Sequence, residues 1–182
     1  MAMESIEELF EHELKELLGG ERSMREGLER MADESSDRDI KKTFALHRKE
    51  TQGQIRRLEK ILKSLGQKAE AETCAGIDGL VKEKKVFMRE KPSDELIEFY
   101  NIGAAQKVER YEITTYENLI DMADKLGLRE AVDLLEETLH EEETALNTLK
   151  RLASEFDVTD ADEDLDELEP NAEEEEPATS RR

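Results

Sequence analysis

Apolar residues recur along most of this chain at steps of three and four, the spacing that lines one face of an α-helix. Four long segments carry such a stripe, at about residues 4–33, 37–65, 93–126 and 128–155. Alternating β-branched residues, which are typical of half-buried strands, do not occur between them. The pattern therefore predicts an all-α domain built from four amphipathic helices. The interior positions predicted for the third helix are Phe99, Ile102, Ile113, Tyr116, Ile120 and Ala123.

The connections between these segments differ in length. A polar turn at 33–37 joins the first two helices, and the sequence LGL at 126–128 joins the last two. Gly66 suits the left-handed position at the end of the second helix. A long crossover at 66–92 follows, and its apolar residues predict a short helix packed against the bundle. Two helical hairpins joined by one long crossover are typical of ferritin-like four-helix bundles.

Each stripe is interrupted near its middle by a residue that is not apolar. These residues are Glu21, His47, Glu109 and Glu142. Glu50 follows His47 by three positions and Glu112 follows Glu109 by three, so each shares a helix face with its neighbour. The six side chains are therefore predicted to surround one cavity inside the bundle.

A group of buried carboxylates needs a compensating positive charge. Burying one ionised carboxylate in an apolar bundle costs several kcal/mol, and its acidic neighbours add repulsion. Two divalent cations would neutralise four carboxylates, and oxygen ligands with one imidazole suit iron or manganese. The pattern thus favours a di-metal site that holds iron or manganese.

The competing interpretation is that the helix phases are misassigned and that these acids are solvated. For any single glutamate that interpretation is preferred, but an interruption in every long helix favours the site. Other reactive residues are assigned simpler roles. His12 and His140 fall off their stripes and should face solvent, Tyr111 and Tyr116 should serve packing, and Cys74 should be a small apolar residue.

Charge and composition exclude several kinds of binding partner and covalent link. The chain of 182 residues has 48 acidic against 27 basic residues, a formal net charge of −21, which argues against nucleic acid. No apolar run approaches the roughly 18 residues of a membrane span, and the N-terminal residues are acidic, so we expect a cytoplasmic protein without a membrane partner. One cysteine excludes an intramolecular disulfide. Residues 1–156 should form the bundle domain, and 157–182 an acidic disordered tail.

Five blocks in order resemble the YciE/YciF-type ferritin-like stress proteins. They are LFEHELKELL at 9–18, HRKETQGQIRRLE at 47–59, TCAGIDGLVKE at 73–83, AAQKVERYEITTYENL at 104–119 and LGLREAVDLLEETLHEEETAL at 126–146. The resemblance implies a ferritin-like bundle, a homodimer, a di-iron site and a ferroxidase or stress-protective role.

The resemblance also assigns the ligands residue by residue. It points to Glu21, His47, Glu50, Glu109, Glu112 and the acidic pair at 141 and 142, of which the stripe selects Glu142. Glu50 and Glu142 would bridge or chelate, while Glu112 would be a ligand or lie just behind the ligands. The sequence departs from the family pattern at Leu18, Gly20, Arg110 and His140.

Two functions are therefore predicted. The first is a non-haem di-iron protein that binds Fe(II) and lets oxygen or peroxide oxidise it, with a dimanganese catalase-like activity using the same ligand types. The alternative is a non-catalytic helical-bundle dimer that acts as an interaction protein in a stress response.

Overall fold

The computed structural model describes residues 3–157, and all of its regular secondary structure is helical. The helices are α1 (Ile6–Glu34), α2 (Arg38–Ser64), α3 (Ala75–Phe87), α4 (Asp94–Lys125) and α5 (Arg129–Glu155), with a 3₁₀ turn at Met88–Glu90. No strand occurs within 3–157. The predicted all-α fold, with four long helices and a short crossover helix, is confirmed.

Local capping explains where the helices begin and end. Ser5 and Glu8 form a reciprocal capping box at the start of α1, and the Asp37 carboxylate accepts hydrogen bonds from two backbone N–H groups of α2. Gly66 and Gly127 have φ angles of 74° and 69°, so both adopt the left-handed conformation that glycine tolerates best. These glycines end α2 and α4.

The long helices pair as two hairpins, α1 with α2 and α4 with α5, and α3 lies across α1 and α4. The core has two apolar clusters, one around Phe10, Leu58 and Tyr116 and the other around Phe44 and Ile102. The polar residues singled out from the sequence occur between the parts of each helix that build these clusters. The candidate site is therefore a polar layer between two apolar ones.

One predicted core position of the third long helix is wrong. Phe99 is 42% exposed, and its ring packs against that of Phe156 with ring centroids 5.2 Å apart. The interior at this turn of α4 is formed instead by Glu98, Asn101 and Ile102. Glu98 accepts hydrogen bonds from the backbone N–H of Asp37 (3.0 Å) and from a serine hydroxyl of the α1–α2 turn. This buried acid therefore holds that turn against α4, and its hydrogen bonds displace Phe99 from the interior.

Glycines in the middle of α1 allow the crossover to lie directly on the helix backbone. The N–H of Glu72 donates to the carbonyl of Lys15 at 2.9 Å. A Cβ on Gly19 would lie 1.8 Å from the carbonyl oxygen of Glu72, and a Cβ on Gly20 would lie 3.2 Å from Ile77. Packing thus requires Gly19, and Gly20 lies in close contact with the crossover beside the candidate site.

Gly19→Ala is expected to destabilise the fold by about 1–3 kcal/mol, because the crossover backbone must move to make room. Gly103→Ala in α4 is the matched control, since a Cβ there meets nothing within 4 Å. That change should stabilise by about 0.5–1 kcal/mol through helix propensity alone. Urea unfolding of both variants measures the effects, and a Gly19→Ala variant as stable as the control would contradict this packing.

Two other expectations concern the membrane and the tail. None of the helices within the described part of the chain is both long and apolar enough to cross a bilayer. The predicted acidic disordered tail, 157–182, lies outside the described residues from position 158 onward.

Candidate metal centre

The structure brings the predicted site residues together in the polar layer. Glu21 of α1, His47 of α2, Glu109 and Glu112 of α4, and Glu142 of α5 are buried, with at most 5% of each exposed. Glu50 of α2 is only half-buried and lies at the edge of the layer. Every long helix therefore supplies at least one of these side chains.

His47 lies at the centre of the group. Its Nε2 is 3.2 Å from Glu109 Oε1 and 3.5 Å from Glu142 Oε2, and its Nδ1 is 3.4 Å from Glu50 Oε2. Potential ligand atoms of His47, Glu109 and Glu142 all lie within 4.8 Å of one another. One imidazole and two carboxylates from three helices can therefore hold a divalent cation.

Glu21 is held by a tyrosine that the sequence pattern assigned to packing on the side facing the site. The hydroxyl of Tyr116, fully buried in α4, donates a short hydrogen bond to Glu21 Oε1. Tyr116 follows Glu112 by four positions, so both lie on the same face of α4. This hydrogen bond fixes the orientation of the Glu21 carboxylate beside the acids of α4.

Several carboxylate oxygens in this layer lack a hydrogen-bond donor. Among the described residues, none donates to either oxygen of Glu109 or Glu142, or to Oε1 of Glu112. His47 approaches two of these oxygens at ion-pair distance but without hydrogen-bond alignment. Because buried polar atoms are almost always partnered, five acid oxygens without a donor side chain fit a site whose missing partners are protons in the metal-free chain and cations when metal is bound.

Burial and proximity shift the proton affinities of the group. Burial raises the pKa of Glu21 to about 7, and burial together with neighbouring carboxylates raises the pKa of Glu112 and Glu142 well above their usual range. Burial opposes a charge on His47 and Glu109 too, but their mutual attraction raises the pKa of His47 and lowers that of Glu109. A metal ion binding here would therefore displace protons.

Glu141, the residue before Glu142, is held outside the site by an ion pair that the sequence pattern did not predict. Both oxygens of Glu141 accept hydrogen bonds from the Arg57 guanidinium, at 2.7 and 2.9 Å, and one also accepts from Gln54 at 3.1 Å. Arg57 also contacts Glu137 on the same side of α5. The sequence pattern predicted that Glu142, and not Glu141, faces the interior, and Glu142 is fully buried.

The four departures from the family pattern fall in two places. Arg110 and His140 are exposed on the outside of the bundle, so their identity does not alter the polar layer directly. Leu18 and Gly20 are buried in the core, where Gly20 contacts the crossover. His12 is only partly exposed and lies 3.4 Å from Glu72 at the surface.

Comparison with known proteins agrees with this architecture. A family described as a domain of unknown function, DUF892, matches residues 5–163. Protein YciF of Escherichia coli (strain K12) is 34% identical over 154 residues, which cover 84% of this chain and 93% of YciF. The crystal structure of that stress protein matches with a TM-score of 0.77 over 83% of this chain and 96% of its own.

Two further solved structures match the fold. YcfI from Rhodopseudomonas palustris is 34% identical, with a TM-score of 0.77 over 81% of this chain and 94% of its own. A two-domain protein from Anabaena variabilis, containing DJ-1/ThiJ/PfpI-like and ferritin-like domains, matches at 19% identity with a TM-score of 0.58. That match covers 98% of this chain but only 42% of the Anabaena protein, and at this low identity it supports a shared fold and nothing more. The chain has a ferritin-like helical fold, belongs to the DUF892 family and is a relative of YciF, as the resemblance predicted.

Proposed function

We propose that this protein binds two divalent metal ions in the polar layer, iron before manganese, and oxidises Fe(II) there as a protection against oxidative stress. The observation that carries the proposal is the set of five buried carboxylate oxygens without a hydrogen-bond donor among the described residues. The description of YciF as a stress protein supports the physiological setting. The predicted homodimer and cytoplasmic location are part of the same proposal.

The residues divide between the two proposed ions. His47, Glu109 and Glu142 offer ligand atoms close enough for one ion, and Glu21 and Glu112 provide the remaining buried carboxylates for a second. The four buried acids of this set, when ionised, balance two divalent cations. Glu50 lies at the edge of the layer, half exposed, and can complete the ligand set from the solvent side.

Fe(II) is the substrate of the proposed reaction. Two Fe(II) ions each give up one electron, and dioxygen takes two electrons and two protons to leave as hydrogen peroxide, whereas hydrogen peroxide as oxidant would leave as two waters. The chain contributes ligand position and shelter from water. Tyr116 fixes Glu21, and the apolar clusters on either side of the layer limit the solvent that reaches the ligands.

Metal content tests the proposal most directly. Protein loaded with Fe(II) without oxygen, or with Mn(II), and then desalted should retain about two ions per chain by elemental analysis. Glu109→Gln should lose most of this metal, because it removes a charge of the central group. Glu141→Gln, which alters an acid bound to Arg57 outside the group, should retain it.

Three experimental outcomes would contradict part or all of the proposed function. Wild-type protein that retains no metal would favour the non-catalytic interaction protein. Equal loss of metal from Glu109→Gln and Glu141→Gln would place binding outside the polar layer. Retention of metal without consumption of dioxygen or peroxide by the Fe(II) form would leave a metal-binding protein without oxidase function.

A further inference from the structure

The two sides of the bundle differ in how well they cover the polar layer. On the α1–α4 side, α3 lies across the gap, and Ile77 and Cys74 are buried there against Gly20. On the α2–α5 side, no other described helix covers the gap. A cleft of about 80 Å³ opens there and is lined in part by His47 and Glu50. The cleft is therefore an approach to the side of the polar layer that His47 and Glu50 form.

The cleft reaches from the surface toward the bundle axis. Leu46 at its mouth is 55% exposed, whereas Leu28 of α1 and Ala105 of α4, which also line it, are fully buried. All four long helices thus contribute to its walls. The small side chains of Ala105 and Ala145 leave the space that larger residues would fill.

The walls of the cleft offer little to a charged or strongly polar molecule. Three threonines line it, but the hydroxyls of Thr43, Thr144 and Thr148 each donate to a backbone carbonyl of their own helix, at 2.9–3.0 Å. No lysine or arginine is among the described residues that line it. Beyond the half-exposed Glu50, a hydrated cation would lose its water shell without replacement ligands until it reached His47, and an anion would meet the Glu50 carboxylate.

The volume of the cleft also limits which molecules can bind in it. Sites for metabolites and cofactors usually have volumes of about 300–1,000 Å³, several times that of this cleft. A single small molecule needs only about 10–15 Å³ of such space, so the cleft can admit one readily. A small, neutral and apolar molecule fits both the volume of the cleft and the apolar side chains that line it.

We infer that the cleft between α2 and α5 takes up dioxygen and delivers it to the side of the polar layer formed by His47 and Glu50. The inference rests on the proposed function and identifies dioxygen as the oxidant that the protein holds. It also separates the route of the oxidant from that of the metal ion, for which this lining is poorly suited.

Xenon binding to metal-free protein tests the cleft without any reaction. Xenon enters small apolar cavities as a probe of similar chemical character to dioxygen. We expect it beside Ala145 in crystals pressurised with xenon, and we expect Ala145→Leu to abolish that binding. Asn147→Leu, which adds an apolar side chain at an exposed position of the same helix, is the control and should bind xenon as wild type does. Absence of xenon from the wild-type cleft would overturn the inference.

Rapid mixing tests the delivery. Oxidation of Fe(II)-loaded protein by dissolved dioxygen should be at least about tenfold slower in Ala145→Leu, because the filled cleft must reopen against packed side chains. The rate of Co(II) binding to metal-free protein should not change. An unchanged oxidation rate, or equal slowing of Co(II) binding, would contradict a dioxygen route.

Failure of the proposed function would look different from failure of this route. Wild-type protein that binds no metal would remove the reaction that dioxygen serves, and with it the delivery step. The xenon result would still decide whether the cleft accepts an apolar gas.

Discussion

Glu142→Leu is expected to stabilise the metal-free protein by about 1–4 kcal/mol while abolishing most of its stabilisation by metal. Glu142 is fully buried, and neither of its oxygens has a donor among the described residues. Leucine of similar bulk removes a desolvated acid from beside Glu109 and Glu112. With metal present, the same substitution deletes a ligand.

The stabilisation should depend on pH in a defined direction. The folded protein holds the pKa of Glu142 above its usual value of 4.5, so the folded state keeps a proton that the unfolded state releases. The contribution of this residue to stability therefore falls as pH rises above 4.5. The leucine variant lacks that proton. The difference in free energy of unfolding between the leucine variant and wild type should be smallest below pH 4.5 and should grow toward neutral pH.

Paired thermal melts in chelator and in Mn(II), at several pH values, measure both effects. Wild type should gain about 2.7 kcal/mol at a metal concentration of 100 times Kd, and the variant should gain little. Glu143→Leu is the control, because Glu143 is the next residue and is exposed. It should change stability by less than about 0.5 kcal/mol. A Glu142→Leu variant with the full metal-induced shift would show that Glu142 is not a ligand.

His47→Ala is expected to weaken metal binding by at least about tenfold, whereas His140→Ala should leave it unchanged. His47 is buried and lies within ion-pair distance of three candidate ligands, while His140 is exposed on the outer face of α5. The pair is matched, since each variant removes one imidazole from the middle of a long helix.

Competition with a coloured chelator for Co(II) gives the affinities of both histidine variants. The absorption bands of bound Co(II) also report whether a nitrogen ligand has been lost. Equal weakening by the two substitutions would contradict the central position of His47. An unchanged spectrum in His47→Ala would show that its imidazole does not bind the metal.

Helical periodicity accounts for the part of the site that the sequence predicted. A residue within a stripe can be assigned to the interior because a long helix repeats its orientation every 3.6 residues. This repeat assigned Glu21, Glu109 and Glu142 to the interior, and all three are buried. The same reasoning placed His140 outside, where it is exposed.

Contacts between distant helices account for what the sequence did not show. Tyr116 bonds to a residue 95 positions away, and Arg57 bonds to one 84 positions away, so neither pairing leaves a local pattern. Phe99 was misassigned for the same reason. The hydrogen bonds of Glu98 to the α1–α2 turn determine which face of α4 turns inward there.

The pairing of Arg57 with Glu141 has a consequence for how the chain chooses among similar arrangements. Three glutamates occupy 141–143, and successive helix positions differ by about 100° in direction. A bundle with α5 turned by one position would still present an acid to His47, so the acids alone specify its rotation poorly. Such a bundle would separate Glu141 from the guanidinium, which binds both of its oxygens. Arg57 therefore reinforces the rotation that the apolar stripe of α5 favours, and with it the choice of one among three adjacent, chemically identical side chains as the interior one.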